Sequence, residues 1–268
     1  MSLRILITND DGVDAPGIAV MEEIARTLSD DVWVCAPESN QSGAAHRFTF
    51  GKELELIEKR HRVFAIPHGS PADCVVAGMT FLLKDHPADI VLSGVNNGQN
   101  LGDIVNCSGT AAGAREGALQ GALGIAMSQG VDYEHGAKTD WSVSRTYAAR
   151  LVEEIRSEAG EGRGAWFNVN FPFCRPDDVE GIRVVPAQRF TRSPMKYFPS
   201  DNTGKFFIAI PETPKPLDPA HDFHLLMHGR SITVTPVALQ ASDEALARRM
   251  DGRLELHPQA VPGNPNRS

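Results

Sequence analysis

Short apolar runs alternate with helix-patterned segments through the first two-thirds of the chain, and this rhythm restricts the fold more than any other feature. The strand-like runs are LRILIT, DVWVCA, VFAIP, DIVLSGV, GIAMS and WFNVNF. Between them lie GIAVMEEIARTL, PADCVVAGMTFLL, TAAGAREGALQGAL and WSVSRTYAARLVEEIRSE. In the last segment Tyr147, Leu151 and Ile155 recur at four-residue spacing with Ala148 and Val152 beside them, so one helix face is apolar. Short strands separated by helices of this length predict an α/β fold, a Rossmann-like three-layer core with a mostly parallel sheet. Ligands of such sheets bind at the carboxyl ends of the strands.

The pattern changes after Pro172. GIRVVPA, KFFIAIP and RSITVTPV read as strands, but polar and proline-rich stretches separate them. The expected organisation is a core over 1–184, a C-terminal extended β-hairpin arm and segment over 185–242 suited to pairing with another subunit, and a tail over 243–268. The stretch HPQAVPGNPNRS in that tail is expected to be disordered.

Charge and hydropathy exclude several classes. A net charge of −8 argues against binding nucleic-acid duplexes, which needs a basic face. No apolar run reaches the roughly 20 residues that cross a bilayer, and a strand-like run at Leu3 leaves no room for a signal peptide. Cys35, Cys74, Cys107 and Cys174 show no CxxC pairing and read as reduced thiols, so the expected location is cytoplasmic.

The first strand ends on NDDG. Neighbouring strand residues point to opposite faces, so Asp10 and Asp11 converge only if the backbone turns at them, which Gly12 allows. Two unpaired carboxylates so close would repel, and one would take a proton. A divalent cation removes the conflict; a helix cap or Asx-turn near Pro16 is the structural alternative.

Two further loops fall at the same sheet edge. APESNQSGAAHRFT follows the second strand and offers neutral oxygens at Asn40 and Ser42. SGVNNGQNLGDIVNCSGT ends a strand on Asn96 and Asn97 and opens a helix near Ser108, Gly109 and Thr110. Orphan amides at that helix start form an anion site, with the hydroxyls as extra donors. Neither GxxxxGK[ST] nor GxGxxG is present. In GSPADCV, Ser70 and Asp73 read as a capping box around Pro71 and carry no catalysis. The nine histidines form no HxH or HExxH pair, and His46 is a lone loop histidine.

Oxygen ligands without paired thiolate or imidazole favour Mg²⁺, Mn²⁺ or Ca²⁺ over zinc. A hard cation beside an anion-binding helix start suggests a phosphate ester as ligand and a phosphomonoesterase in outline.

Taken together, ILITNDDGVDAPGI, APESNQSGAAHRFT, GSPADCV and DIVLSGVNNGQNLGDIVNCSGTAAGAREG resemble the SurE family of survival-protein nucleotidases, and SITVTPV echoes that family's late strand. The resemblance implies one divalent cation per subunit, Mg²⁺ or Mn²⁺, and release of phosphate from nucleoside 5′- and 3′-monophosphates, with short polyphosphate left open. It implies metal ligands at Asp10, Asp11, Ser42 and Asn96, with Asp10, Asp11 and Asn96 catalytic. Asn9, Asn40, Ser108, Gly109 and Thr110 fall where the family surrounds the phosphate. It also implies a homodimer or homotetramer built by exchange of C-terminal segments. The chain departs from the family pattern at Cys107, where tyrosine is usual, and at Ile104, where a second aspartate is usual.

Two other readings stand beside this one. A haloacid-dehalogenase-type phosphatase would need an aspartyl nucleophile, but the DxDG register puts Asn9 there, and an amide cannot serve. A nucleotide-sensing regulatory protein would keep the anion site without needing paired carboxylates.

Overall fold

The computed structural model describes residues 3–132, 136, 138–160, 164–210, 213 and 215–251. In chain order the elements are β1 (Arg4–Thr8), α1 (Pro16–Leu28), β2 (Asp31–Pro37), β3 (Ile57–Arg60), β4 (Val63–Ile66), α2 (Pro71–Ala77), β5 (Ile90–Asn97), α3 (Gly109–Leu119), β6 (Leu123–Gln129), α4 (Ser142–Ala159) and β7 (Ala165–Phe171). They continue through β8 (Gly181–Val184), β9 (Lys196–Pro199), β10 (Phe206–Ala209), α5 (Asp222–Met227), β11 (Ser231–Ala238) and α6 (Glu244–Met250).

A nine-stranded sheet runs in the order β3-β4-β2-β1-β5-β6-β7-β11-β8. From β4 to β7 every neighbouring pair is parallel. The two-residue period of β1 explains the layering. Ile5 and Ile7 pack with Ile18 and Met21 of α1 and Leu151 of α4, whereas Leu6 packs on the other face with Cys74 and Val75 of α2. All three β1 residues are fully buried, each contributing about 1.5–3 kcal/mol to the centre of the sheet. The expected α/β architecture is therefore present, with helices on both faces of a mostly parallel sheet. Its loops after β1, β2 and β5 open at one edge.

Several elements differ from the sequence expectation. β3 pairs antiparallel at the edge beside β4, and its polar IEKR sequence carries no apolar signal. The helix beginning at Pro71 ends at Ala77 and gives way to a wide turn over Gly78–Leu82. β11, expected within the 185–242 arm and segment, instead lies inside the main sheet, antiparallel to β7 and parallel to β8. Backbone pairing with β7 over Thr233–Ala238 decides this placement, which no local pattern encodes. β9 and β10 form a separate two-stranded antiparallel hairpin. Of the 243–268 tail, α6 is helical, and the HPQAVPGNPNRS stretch lies outside the described residues. No described helix is long and apolar enough to cross a membrane. Cys35, Cys74, Cys107 and Cys174 are all free thiols.

Candidate active site

The turn after β1 is fixed from within. Asn9 is fully buried; its Nδ2 donates to Gly12 O at 2.9 Å, and its Oδ1 accepts from Gly12 N at 3.2 Å. Gly12 adopts φ +110°, a region that favours glycine, so the chain reverses there and both carboxylates stay at the strand end. Asn9, expected beside a phosphate, thus has both polar ends of its amide committed to the turn.

Asp10 points toward the start of α3. Thr110 Oγ1 donates to Asp10 Oδ1 at 2.6 Å. Gly109 lies so close that a Cβ added there would sit 2.7 Å from Asp10 Cβ. Burial pushes the Asp10 carboxyl up to about 6, against the opposing Thr110 hydrogen bond, and the charge of Asp11 adds to the rise. Asp11 is less enclosed. Burial raises its pKa, while the backbone N–H of Asn97, donating to Oδ2 at 3.1 Å, works the other way.

The remaining loops converge on this pair. Gln41 N donates to the backbone oxygen of Asp10 at 2.7 Å, and Asn40 Nδ2 approaches Asp11 Oδ1 at 3.5 Å. Asn40 Oδ1 also accepts from Ser42 N at 2.8 Å, holding the Ser42 turn in place. The β5–β6 ladder shifts register between Ser93 and Asn96, and the irregularity re-aims Asn96 and Asn97 at the strand tip. Asn96 Nδ2 donates to Gly98 O, leaving its carbonyl oxygen for a ligand. Asn96 stands one residue from Asn97, whose amide contacts the Asp11 carboxylate, and Ser42 two residues from Asn40, whose amide approaches it.

At the α3 start, Ser108 Oγ accepts from Ala111 N at 3.0 Å as the N-cap. The Gly109 amide, at the first helical position, has no partner within the helix. Thr110, expected beside the phosphate, donates its hydroxyl hydrogen to Asp10. His46 does not reach the carboxylates; its Nε2 lies 2.9 Å from Glu116 Oε2 on the flank of α3. Ser70 and Asp73 form the expected capping box, and Asp73 also accepts from Thr49 N and Oγ1 at 3.0 and 2.9 Å.

A buried amide cluster behind the site has no counterpart in the sequence reading. Asn100 N donates to Asn170 Oδ1 at 2.8 Å, while Asn168 and Asn170 donate to Asn100 O at 2.8 and 3.0 Å. Asn100 Nδ2 reaches Ser128 Oγ at 3.0 Å and Thr110 Oγ1 at 3.5 Å. The signal lay in the strand WFNVNF: two asparagines at strand spacing on one face of an apolar run require buried partners.

The donor set fits a hard cation. Among the described residues no group of three or more His, Cys, Asp or Glu converges. The ligands on offer are two carboxylates and neutral oxygens, as Mg²⁺ or Mn²⁺ requires. A cation would also offset the burial, and the lesser charge of Asp11, that lift Asp10.

A mostly parallel sheet carries paired carboxylates at a strand end, against a helix start, which defines an α/β protein with a candidate site at the carboxyl edge of its sheet. The family model described as Survival protein SurE matches residues 5–193, and the chain belongs to that family. It is 42% identical over 250 residues to the "5'-nucleotidase SurE" of Methylobacterium radiotolerans, covering 92% of this chain and 97% of the relative. The Nitrobacter winogradskyi protein of the same description is 40% identical over 257 residues, covering 94% of this chain and 100% of the relative. Among solved structures, the SurE protein from Aquifex aeolicus superposes with a TM-score of 0.81 at 28% identity, covering 92% of this chain and 98% of that one.

Proposed function

We propose that this chain is a metal-dependent phosphomonoesterase that releases phosphate from nucleoside 5′- and 3′-monophosphates. The observation that carries the reading is the junction of Asp10 with α3, where the Thr110 hydroxyl holds the carboxylate 2.6 Å away at the mouth of an anion-binding helix. The nucleotidase descriptions of relatives at about 40% identity support the same activity.

Asp10, Asp11, Ser42 and Asn96 are the residues that would hold one Mg²⁺ or Mn²⁺. Such a cation supplies a Lewis acid for the phosphoryl oxygens and lowers the pKa of a water ligand. Ser108 and the Gly109 amide receive the phosphoryl oxygens, with Asn40 at the opposite rim. Asn9 and Thr110 serve the phosphate indirectly by fixing the two carboxylates. Asp11, the more open carboxylate, is placed to accept a proton from the attacking water. Beyond Asp11 a cavity of about 700 Å³ runs past Asn97 and Thr139 to Lys138 and Trp141, where the nucleoside fits.

The commitment of Asn9 to Gly12 argues further against an aspartyl-phosphate route, since the position such a route would need is a buried, hydrogen-bonded amide. The hairpin supports self-association, because Tyr197, Phe206, Phe207 and Ile208 on β9 and β10 are all exposed. A homodimer or homotetramer through the 185–242 segment would cover them.

Phosphate release from AMP, GMP and 3′-AMP, measured with Mn²⁺ or Mg²⁺ and again with chelator, tests the reading. Asp10→Asn and Asp11→Asn should each lose at least about 100-fold in kcat/KM, the scale of loss when transition-state charge stabilisation is removed. Metal-independent nucleotide binding without turnover would favour a sensor instead.

A further inference from the structure

His46 stands in the loop that carries Asn40 and Ser42, yet the carboxylate site makes no direct use of it. Its Nε2 lies 2.9 Å from Glu116 Oε2. An ionised carboxylate only accepts, so the imidazole N–H is the donor. Glu116 is 4% exposed, and its other oxygen, Oε1, accepts from Gln120 Nε2 at 2.7 Å. No Lys or Arg pairs with Glu116 among the described residues, so His46 is the partner that another segment of the chain brings to a buried carboxylate. Such a contact, shielded from water, holds more firmly than a surface pair.

The contact joins two parts of the site to one helix. Glu116 lies two helical turns beyond Gly109, on the helix whose Thr110 holds Asp10 at 2.6 Å. His46 follows Ser42 by four residues. Between them, Ala44 N donates to Gln41 O at 3.0 Å, and Ala45 N donates to Cys107 O at 3.2 Å in the turn before α3. Ala45 takes φ +51°, a conformation that residues with a Cβ rarely adopt, so contacts on either side must keep it there. The His46 ring packs against Phe48 at 5.3 Å between centroids. Past His46 the loop turns to α2, where Arg47 O accepts from Ser70 Oγ and Thr49 binds Asp73. One helix thus fixes both Asp10 and the loop that bears the neutral oxygens.

We propose that His46 is a positioning residue for the cation site: clasped by Glu116, it keeps Asn40 and Ser42 in register with Asp10 and Asp11. The inference rests on the reading of Asp11 and Ser42 as metal ligands. Asn40 approaches Asp11 at 3.5 Å, and a loop released at His46 would be free to draw both neutral oxygens away from the carboxylates. His46 touches neither carboxylate and acts through the loop.

The test reads Mn²⁺ binding by the full-length protein, without substrate, from loss of the free-ion paramagnetic resonance signal. His46→Ala should bind Mn²⁺ at least about tenfold more weakly, the lower end of what loss of support for a metal ligand costs. His46→Gln, which keeps an N–H donor at similar reach, should bind close to the unaltered protein. Glu116→Ala should match His46→Ala, and the double variant should bind no more weakly than either, because both remove the same contact. Glu116→Gln, of unchanged volume, should show a smaller loss; if an alanine variant does not fold, unchanged affinity in Glu116→Gln overturns the role. Asp11→Asn should abolish Mn²⁺ binding and tests the cation reading separately. No binding by the unaltered protein, or full binding by Asp11→Asn, would sink that reading and the inference with it. With those two results in place, His46→Ala binding as tightly as the unaltered protein would overturn the positioning role alone. So would a His46→Gln loss equal to that of His46→Ala, or additive losses in the double variant. A fall in melting temperature at unchanged Mn²⁺ affinity would also overturn it, assigning the His46–Glu116 pair to folding only.

Discussion

Replacing Gly109 with alanine adds one methyl group where α3 meets the first strand's carboxylate. The added carbon would stand 2.7 Å from Asp10 Cβ and 2.9 Å from Asp10 Oδ2. Relaxed carbon–carbon contacts lie at about 3.5–4.0 Å, so Asp10 and the helix start must separate by about 1 Å. Overpacking of this kind costs about 1–3 kcal/mol. Alanine's advantage over glycine in a helix returns up to about 1 kcal/mol, so the fold should survive with only a modest fall in melting temperature. Activity should respond differently, because a displacement of about 1 Å in a reacting constellation costs on the order of 100-fold. Phosphate release from AMP with Mn²⁺, alongside thermal unfolding of the same preparation, separates the two effects. A Gly109→Ala protein that keeps more than half of the unaltered kcat/KM would refute the view that Asp10 must lie flush against this helix.

Other perturbations test the scaffold around the site. Asp222 is fully buried and accepts from the backbone of Gly102, Gln188 and Phe223, so Asp222→Ala should cost about 3–5 kcal/mol by stranding those donors, read as a lower urea midpoint. Asn100→Ala should lower kcat/KM by loosening Thr110 behind Asp10, and a rate unchanged within error would dissociate the amide cluster from catalysis. Burial pushes the Glu22 carboxyl up, but hydrogen bonds and charge from Arg60 and Arg26 outweigh it and hold the group below its ordinary value of 4.5. Its stabilising contribution is therefore present above that value and fades as pH falls through the lower folded pKa. Glu22→Gln should cost under about 1 kcal/mol at neutral pH, given the exposed arginines, and the gap should close as pH falls below 4.5 and through the lower folded value.

The sheet centre and the NDD turn were readable because their signals are local: an apolar run, then a glycine-assisted reversal. The Ser70–Asp73 capping box was readable for the same reason. Thr110 was not, since its partner Asp10 lies 100 residues away and sequence alone leaves its hydroxyl equally suited to phosphate. The closure of the Asn9 amide on Gly12, three residues on, was likewise absent from the sequence reading. The place of β11 depends on its pairing with β7, and the edge strand β3 carries too little apolar patterning to announce itself.

The position of β11 has a bearing on how the molecule is made. Everything that gathers around the carboxylates, from Asn9 to Thr110, leaves the ribosome well before residues 231–238 emerge. Those late residues are wedged between β7 and β8, and β8 has no other neighbour in the sheet. Nascent chains would therefore carry a nearly assembled centre beside an open β7 margin until synthesis is almost complete. Truncation before Ser231 would leave that margin bare and invite edge-to-edge aggregation.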